Sequence, residues 1–161
     1  MTDVIEDIHE FWFGKLDGKG LCVSDHHARW FGATERTDTY CREQFGPSLT
    51  MARAGQLQDW TKTDRGLVAL VILLDQFSRN IHRGATAAFA NDMAALNLAR
   101  EAISSGRHES LPLIHLQRRT LLLADAPQSV SIFYTLALMH AVDTPKYDEK
   151  QSLINSGTIF A

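Results

Sequence analysis

A carboxylate and two guanidinium groups are spaced four residues apart near the middle of the chain. Asp75, Arg79 and Arg83 follow an apolar run, and this spacing places them in a ladder along a helix. The ladder has one positive charge left over, and a guanidinium fork can grip a carboxylate or a phosphate with two hydrogen bonds. The pattern predicts a site that holds a small anionic ligand or a peptide segment.

Three further polar residues extend this predicted site. Gln76 and Asn80 are placed to bond the polar remainder of a ligand, while Asp75 orients Arg79. Asp92 lies on the next predicted helix and can neutralise the surplus charge where no ligand does so. The predicted ligand-binding residues are therefore Asp75, Gln76, Arg79, Asn80, Arg83 and Asp92.

Other interpretations of these residues stay open. One is a buried ion-pair network that locks two helices, with Gln76 and Asn80 bonded to loop backbone, although desolvation can cancel most of its Coulomb gain. Another is a hydrolase or transferase in which His82 or Asp75 is the base and the arginines stabilise negative charge. A third is a subunit that pairs with another chain through its C-terminal region. We predict a binding scaffold rather than an enzyme and assign no catalytic residue.

No metal ion or cofactor is predicted. Glu6 and His9 have the spacing of one half of a di-iron site, but no second copy follows on another helix. His26 and His27 are adjacent, so they cannot face one metal ion from the same side of a helix, and Cys22 alone does not complete a zinc site.

The elements that position these residues are predicted to be helical throughout. Helices are expected over residues 3–13, 34–45, 47–54, 65–83, 86–105, 110–123 and 127–140, with Gly46-Pro47 interrupting the second and third. The expected N-terminal caps are Asp3, Thr34, Asp64 and Thr86, and Gly55 and Gly84 are expected to end helices. No segment alternates with a period of two residues. We predict an all-α fold of antiparallel helix pairs, with one domain over residues 1–142 and an irregular tail over 143–161.

Two of these helices carry informative patterns. Residues 67–74 are apolar all round, which indicates burial on every side. Asp75 follows this run directly, so it is expected to lie inside the protein and to need polar or charged partners or a water-filled cavity. In the next helix one face is predicted to be marked by Phe89, Met93, Leu96, Arg100 and Ile103.

Composition excludes several classes of function. The 161 residues are 45% hydrophobic and carry a net charge of −3 without a basic stripe, so nucleic acid is not an expected partner. The longest apolar run is far shorter than the roughly 20 residues that cross a bilayer, and the acidic N-terminus does not resemble a signal peptide. We expect a cytoplasmic protein without membrane association, in which Cys22 and Cys41 are free thiols.

Several motifs together resemble an uncharacterised bacterial family catalogued as domain of unknown function 924. They are residues 11–14 (Phe-Trp-Phe-Gly), Trp30-Phe31, Ala54-Gly55 followed by Trp60, residues 73–80 with Arg83-Gly84, and residues 88–92. The resemblance covers roughly residues 4 to 106. It implies a tetratricopeptide-like α-α superhelix and implies no established reaction.

The chain departs from that family's pattern in its C-terminal part. Family members carry a His-Ser-Glu segment after an apolar helix and then a second Arg-Asn element. Here residues 120–123 are followed, after Ala124, by residues 125–128, without that segment. An alternative alignment places His140 on the first of these segments, but Ala141 and Val142 replace its Ser and Glu. The resemblance therefore implies a diverged or truncated C-terminal part. If the family site is built jointly from both Arg-Asn elements and the His-Ser-Glu segment, this chain keeps only half of it.

Overall fold

The computed structural model describes residues 3–18, 22–24, 26, 30 and 34–111. Within these ranges the chain is helical, and its extended pairing is limited to an isolated antiparallel bridge between Leu16 and Cys22. The all-α prediction is confirmed for this part. The description ends at Leu111. The helices predicted after Ser110 and the tail predicted for 143–161 therefore lie outside the described residues.

Five α-helices are described, together with three short 3-10 turns. The α-helices are α1 (Val4–Phe13), α2 (Glu35–Arg53), α3 (Asp64–Ile72), α4 (Ser78–Ile81) and α5 (Asp92–Ser104). The 3-10 turns span Gln58–Lys62, Thr86–Phe89 and Arg107–Ser110. A π-helical turn, Leu73–Phe77, joins α3 to α4, and these three segments together form the central helix. No described helix is long and apolar enough to span a bilayer.

The predicted caps of the first two helices are confirmed. Asp3 accepts a hydrogen bond from the backbone N–H of Ile5, and Thr34 accepts one from that of Thr37. Gly55 adopts φ 70°, a left-handed conformation that glycine tolerates, just beyond the end of α2.

The predicted interruption at Gly46-Pro47 is wrong, because α2 runs without a break through both residues. Proline in a helix removes one backbone hydrogen bond and leaves a carbonyl four residues earlier without its donor. Here Pro47 and Glu43 are both exposed, so water can solvate that carbonyl. The burial of Phe45 and Leu49 on the same helix holds both halves against one core.

The central helix differs from its prediction at both ends. Its cap is Thr63, whose hydroxyl accepts from the N–H of Gly66, whereas the predicted cap Asp64 binds Arg107 and Ser110. At the other end α4 stops at Ile81, because His82 has φ −112° and ψ 29°. Arg83 therefore lies beyond the helix, and the predicted boundary at residue 83 is two residues too long.

The apolar half of the central helix is buried all round, as the sequence predicts. Residues 66–78 are all buried, and the π turn contacts both α2 and α5. Phe77 stacks on Phe45 of α2 with ring centroids 4.6 Å apart and meets Trp12 of α1 edge-on at 5.5 Å. Trp30 packs against this core and donates to the carbonyl of Trp12, so the loop after α1 is tied down at that point.

The face predicted for the helix after Gly84 is only partly right. Phe89 and Met93 are 53% and 62% exposed, while Ala95, Ala99 and Ala102 are buried. The helix also begins at Asp92 rather than Thr86, which starts a separate 3-10 turn. Small alanine side chains allow α5 to approach the central helix closely, so the larger apolar residues do not mark the buried side.

Candidate functional site

Asp75 lies in the π turn, is fully buried and belongs to a network of charged side chains. Arg79 donates from Nη2 to Asp75 Oδ1 at 2.9 Å, which confirms the predicted contact one helical turn apart. The same nitrogen lies 3.2 and 3.3 Å from the two carboxylate oxygens of Asp92. Arg79 therefore joins the central helix to α5, and Asp92 is placed to neutralise its charge, which is the role predicted for Asp92.

Arg83 does not extend this ladder. It binds Asp38 of α2, with Nε 2.5 Å from Oδ2 and Nη2 2.9 Å from Oδ1. Asn80 donates from Nδ2 to the same Asp38 Oδ1 at 2.8 Å. Two ion-pair groups thus flank the central helix: Asp75, Arg79 and Asp92 on one side, and Asp38, Asn80 and Arg83 on the other.

The predicted surplus of positive charge is not present. Among the described residues the two groups contain three carboxylates, those of Asp38, Asp75 and Asp92, and two guanidiniums, those of Arg79 and Arg83. With all five ionised, the sum is −1. The exposed Arg42 acts on Asp38 through space and brings the neighbourhood close to neutrality. The charge argument for an anionic ligand therefore fails, because Asp38 was not anticipated.

The surroundings of Asp38 and Asp92 shift the pKa values of these two carboxyl groups in opposite directions. Hydrogen bonding by Arg83 holds the pKa of Asp38 below its usual value, against the opposing effect of burial. Burial raises the pKa of Asp92 and outweighs the contact with Arg79. Asp38 is thus the firmly ionised anchor, whereas Asp92 is the carboxyl that takes up a proton more readily.

The guanidinium of Arg79 is only partly satisfied. Its Cζ lies 4.9 Å from the ring centroid of Phe89, a cation–π distance. Its Nη2 serves both carboxylates, but its Nη1 is buried and has no hydrogen-bond partner within the described part of the chain. A buried donor of this kind favours an acceptor from outside the described residues.

The remaining predicted residues have more local roles. Gln76 donates from Nε2 to Asp75 Oδ2 at 2.5 Å, so it supports the buried carboxylate. His82 caps α4 through its backbone N–H, which donates to the carbonyl of Ser78. Across the described residues no hydrogen bond or ion pair joins the His82 ring to the network, and the structure does not bring it together with Asp75.

Metal-ligating groups do not converge in the described residues. No set of three His, Cys, Asp or Glu side chains there could hold a metal ion. Glu6 binds Arg65 instead, and His9 Nε2 donates to the backbone carbonyl of Arg65 at 2.9 Å. These contacts fasten α1 to the start of α3.

Asp38 is the site residue that sequence reasoning missed. It shares a buried stripe of α2 with Cys41, Phe45 and Leu49, at positions i, i+3, i+7 and i+11. A carboxylate at an otherwise apolar position was the available signal, because a buried charge requires a partner of opposite sign. The partner, Arg83, is 45 residues away in the chain.

Comparison with known proteins gives a family and a fold. The family model described as "Bacterial protein of unknown function (DUF924)" matches residues 8–157, which extends well past residue 106. A solved structure of a protein of unknown function from Agrobacterium tumefaciens is similar, with 21% identity and a TM-score of 0.60 over 98% of this chain and 84% of that one. At this identity the likeness concerns the fold alone. No curated protein matches the chain significantly.

Proposed function

The chain belongs to the DUF924 family of bacterial proteins of unknown function, and from its charged helix end we propose that it is a scaffold that binds a peptide segment. The binding residue is Arg79, with Asp75 and Asp92 fixing its orientation. The observation that carries the proposal is the buried Nη1 of Arg79, which has no acceptor among the described residues. Leaving such a donor unsatisfied costs about 1–3 kcal/mol, so a bound acceptor would recover that free energy.

A peptide carbonyl suits this position better than a free anion does. Asp75 and Asp92 already place two carboxylates on the Arg79 guanidinium, and a third negative group there would be repelled. A carbonyl oxygen accepts from Nη1 without adding a full charge. The small-anion alternative therefore loses the surplus positive charge that supported it. Binding of a peptide carbonyl does not depend on that charge.

The surroundings of Arg79 also offer apolar contact area. Phe89 lies against the guanidinium and is 53% exposed, and Met93, next to Asp92, is 62% exposed. Exposed aromatic and methionine side chains adapt to the varied side chains of peptides. A donor beside apolar surface is the combination that a bound peptide requires, since it presents carbonyls and side chains together.

The π turn supports a functional interpretation of this end of the central helix. Turns of this type inside α-helices occur frequently at functional sites, because the extra residue disturbs regular packing. Here the turn holds Asp75 and Gln76, whose contact fixes the carboxylate that orients Arg79.

The proposal includes finer points that follow from the sequence. The helices are taken to stack as antiparallel pairs in a tetratricopeptide-like superhelix, whose concave face would carry the peptide. The protein is taken to be cytoplasmic. The C-terminal part is taken to be diverged, so that the site is formed by the half described above.

A catalytic role is the second candidate, favoured by one observation. Asp92 has a raised pKa and shares Arg79 with the buried Asp75, an arrangement in which the Asp92 carboxyl could exchange a proton next to a positioned guanidinium. In that case a hydrolase or transferase activity would depend on the protonation of Asp92. Asp92→Asn would abolish such an activity. In a peptide-binding scaffold the asparagine keeps an oxygen that can accept from Arg79, so affinity should be weakened rather than lost.

The test is a thermal-shift screen with a library of acetylated, amidated hexapeptides, run beside orthophosphate and succinate. We expect peptides to raise the melting temperature, since a ligand at a hundred times its dissociation constant adds about 2.7 kcal/mol. Arg79→Lys keeps the charge but removes the planar fork, and it should abolish the shift. Arg65→Lys makes the same change at the surface pair with Glu6 and should leave the shift intact.

Three results would overturn the proposal. A shift by orthophosphate or succinate with none by peptides would favour an anion site. A peptide shift that persists in Arg79→Lys would place binding elsewhere. If no ligand stabilises the wild type and Arg79→Lys lowers the stability of the protein, the network is purely structural. Light scattering would then test association with a second copy.

A further inference from the structure

A second feature suited to a ligand lies on another side of α2. It is a groove of about 680 Å³, within the volume range of ligand sites, and its lining includes Phe11, Glu35, Arg36, Thr37, Tyr40 and Glu43. At about 100° per residue, Arg36, Tyr40 and Glu43 lie some 140–200° around the helix from Asp38. The groove is therefore separate from the Arg79 site and does not depend on the function proposed for that site.

Arg36, Tyr40 and Glu43 follow one another along α2 at positions i, i+4 and i+7. They share one helix face and together span about 10 Å along the axis. A donor, an aromatic ring and a carboxylate thus stand in a row. Their spacing matches about three residues of an extended peptide.

The ring of Tyr40 is held in a fixed orientation yet stays accessible. It stacks on Phe11 with centroids 4.6 Å apart and planes 16° from parallel, and it meets Phe45 edge-on at 6.0 Å. The residue is nevertheless 43% exposed. A ring that is positioned by its neighbours can receive a cation without losing further side-chain freedom.

The charges of the groove favour a cationic group. Glu35 and Glu43 form no ion pair in the described part of the chain, and Arg36 forms none there either. The three side chains sum to −1. The positive end of the α2 dipole is felt within the first turn, where Glu35 offsets it, and Glu43 lies two turns further on.

We propose that this groove binds an arginine side chain of a peptide. The guanidinium lies between the Tyr40 ring and the Glu43 carboxylate, and Arg36 donates to the backbone carbonyls of the same peptide. Arginine fits better than lysine because its planar guanidinium both stacks on a ring and pairs with a carboxylate through two hydrogen bonds.

The experiment is an NMR titration of ¹⁵N-labelled protein with acetyl-Ala-Arg-Ala-amide. We expect saturable shifts of the backbone amides of residues 36–43. The matched peptide with citrulline in place of arginine keeps the shape and hydrogen-bonding edge but has no charge, and it should bind about tenfold more weakly. The lysine peptide should fall between the two.

Glu43→Gln should weaken the arginine peptide about tenfold by removing the charge partner. Glu101→Gln, at an exposed position on α5, should leave its affinity unchanged. Arg79→Lys should also leave it unchanged, which separates this site from the one at the central helix. Equal affinity for the citrulline peptide, an unaffected Glu43→Gln variant, or shifts that do not saturate would overturn the proposal.

Discussion

Arg83, just beyond the end of the central helix, binds Asp38 of α2 through two hydrogen bonds between segments 45 residues apart. Nε and Nη2 of Arg83 each meet a different oxygen of the Asp38 carboxylate, and Asn80 adds a third hydrogen bond to that group. Paired hydrogen bonds of this kind fix orientation as well as distance. Asp38 thereby sets how α2 meets the end of the central helix, while Arg79 sets how α5 meets it.

Asp38→Ala should lower the free energy of unfolding by about 2–4 kcal/mol, because it leaves Asn80 and Arg83 without their acceptor. Urea unfolding at neutral pH measures the loss. The control is Asp59→Ala, which removes an exposed pair with Lys62 and should cost no more than about 0.5 kcal/mol. Equal losses in the two variants would show that the Asp38 contact contributes no more than a surface pair.

Asp38 and Asp92 should affect acid stability in opposite directions. The pKa of Asp38 is lowered in the folded protein, so its contribution is present above the ordinary value of 3.8 and is lost as pH falls through the folded value. The pKa of Asp92 is raised, so its contribution falls as pH rises from 3.8 through the folded value.

Asp38→Asn should therefore flatten the loss of stability towards acid, and Asp92→Asn should steepen it. Urea unfolding from about pH 3 to pH 7 would show both slopes. Slopes that change in the same direction would contradict the assignment of the two carboxyl groups.

Local sequence signals predicted the features that depend on a few neighbouring residues. The caps Asp3 and Thr34 and the stop at Gly55 need only a side chain or a φ angle that the residue type supplies. The burial of residues 67–74 followed from their uninterrupted apolar character. The contact of Asp75 with Arg79 likewise followed from spacing along one helix.

Features that depend on packing between helices were not predictable in this way. Whether Arg83 continues the ladder depends on where α4 ends, and the chain leaves helical geometry at His82. Whether Phe89 or Ala95 faces the core depends on how closely α5 approaches the central helix. Pro47 stays inside α2 because the burial of its neighbours outweighs one lost hydrogen bond.

Cys22 should react slowly with thiol reagents in the folded protein. Burial, aided by the charge of Asp17, raises its pKa from 9.0 to about 11, and Cys41 is fully buried. A two-unit rise lowers the thiolate fraction about 100-fold at pH 8. Ellman's reagent should therefore react rapidly with both thiols only after unfolding. A rapid single-thiol phase in the native protein that disappears in Cys22→Ser would contradict this expectation.

Two glycines inside helices should tolerate substitution by alanine to different degrees. A Cβ on Gly66 would lie 2.2 Å from the carbonyl oxygen of Trp60 and 2.9 Å from the cap hydroxyl of Thr63, so the start of α3 would have to shift. Overpacking of this kind costs about 1–3 kcal/mol. Apart from its chain neighbours, a Cβ on Gly46 of α2 meets nothing within 4 Å. Gly46 precedes Pro47, however, and the proline ring disfavours helical geometry at a preceding residue that carries a Cβ. This effect opposes the gain in helix propensity, so Gly46→Ala should change the free energy of unfolding by less than about 1 kcal/mol. Urea unfolding of both variants tests the pair, and stabilisation by Gly66→Ala would mean that the turn before α3 can yield.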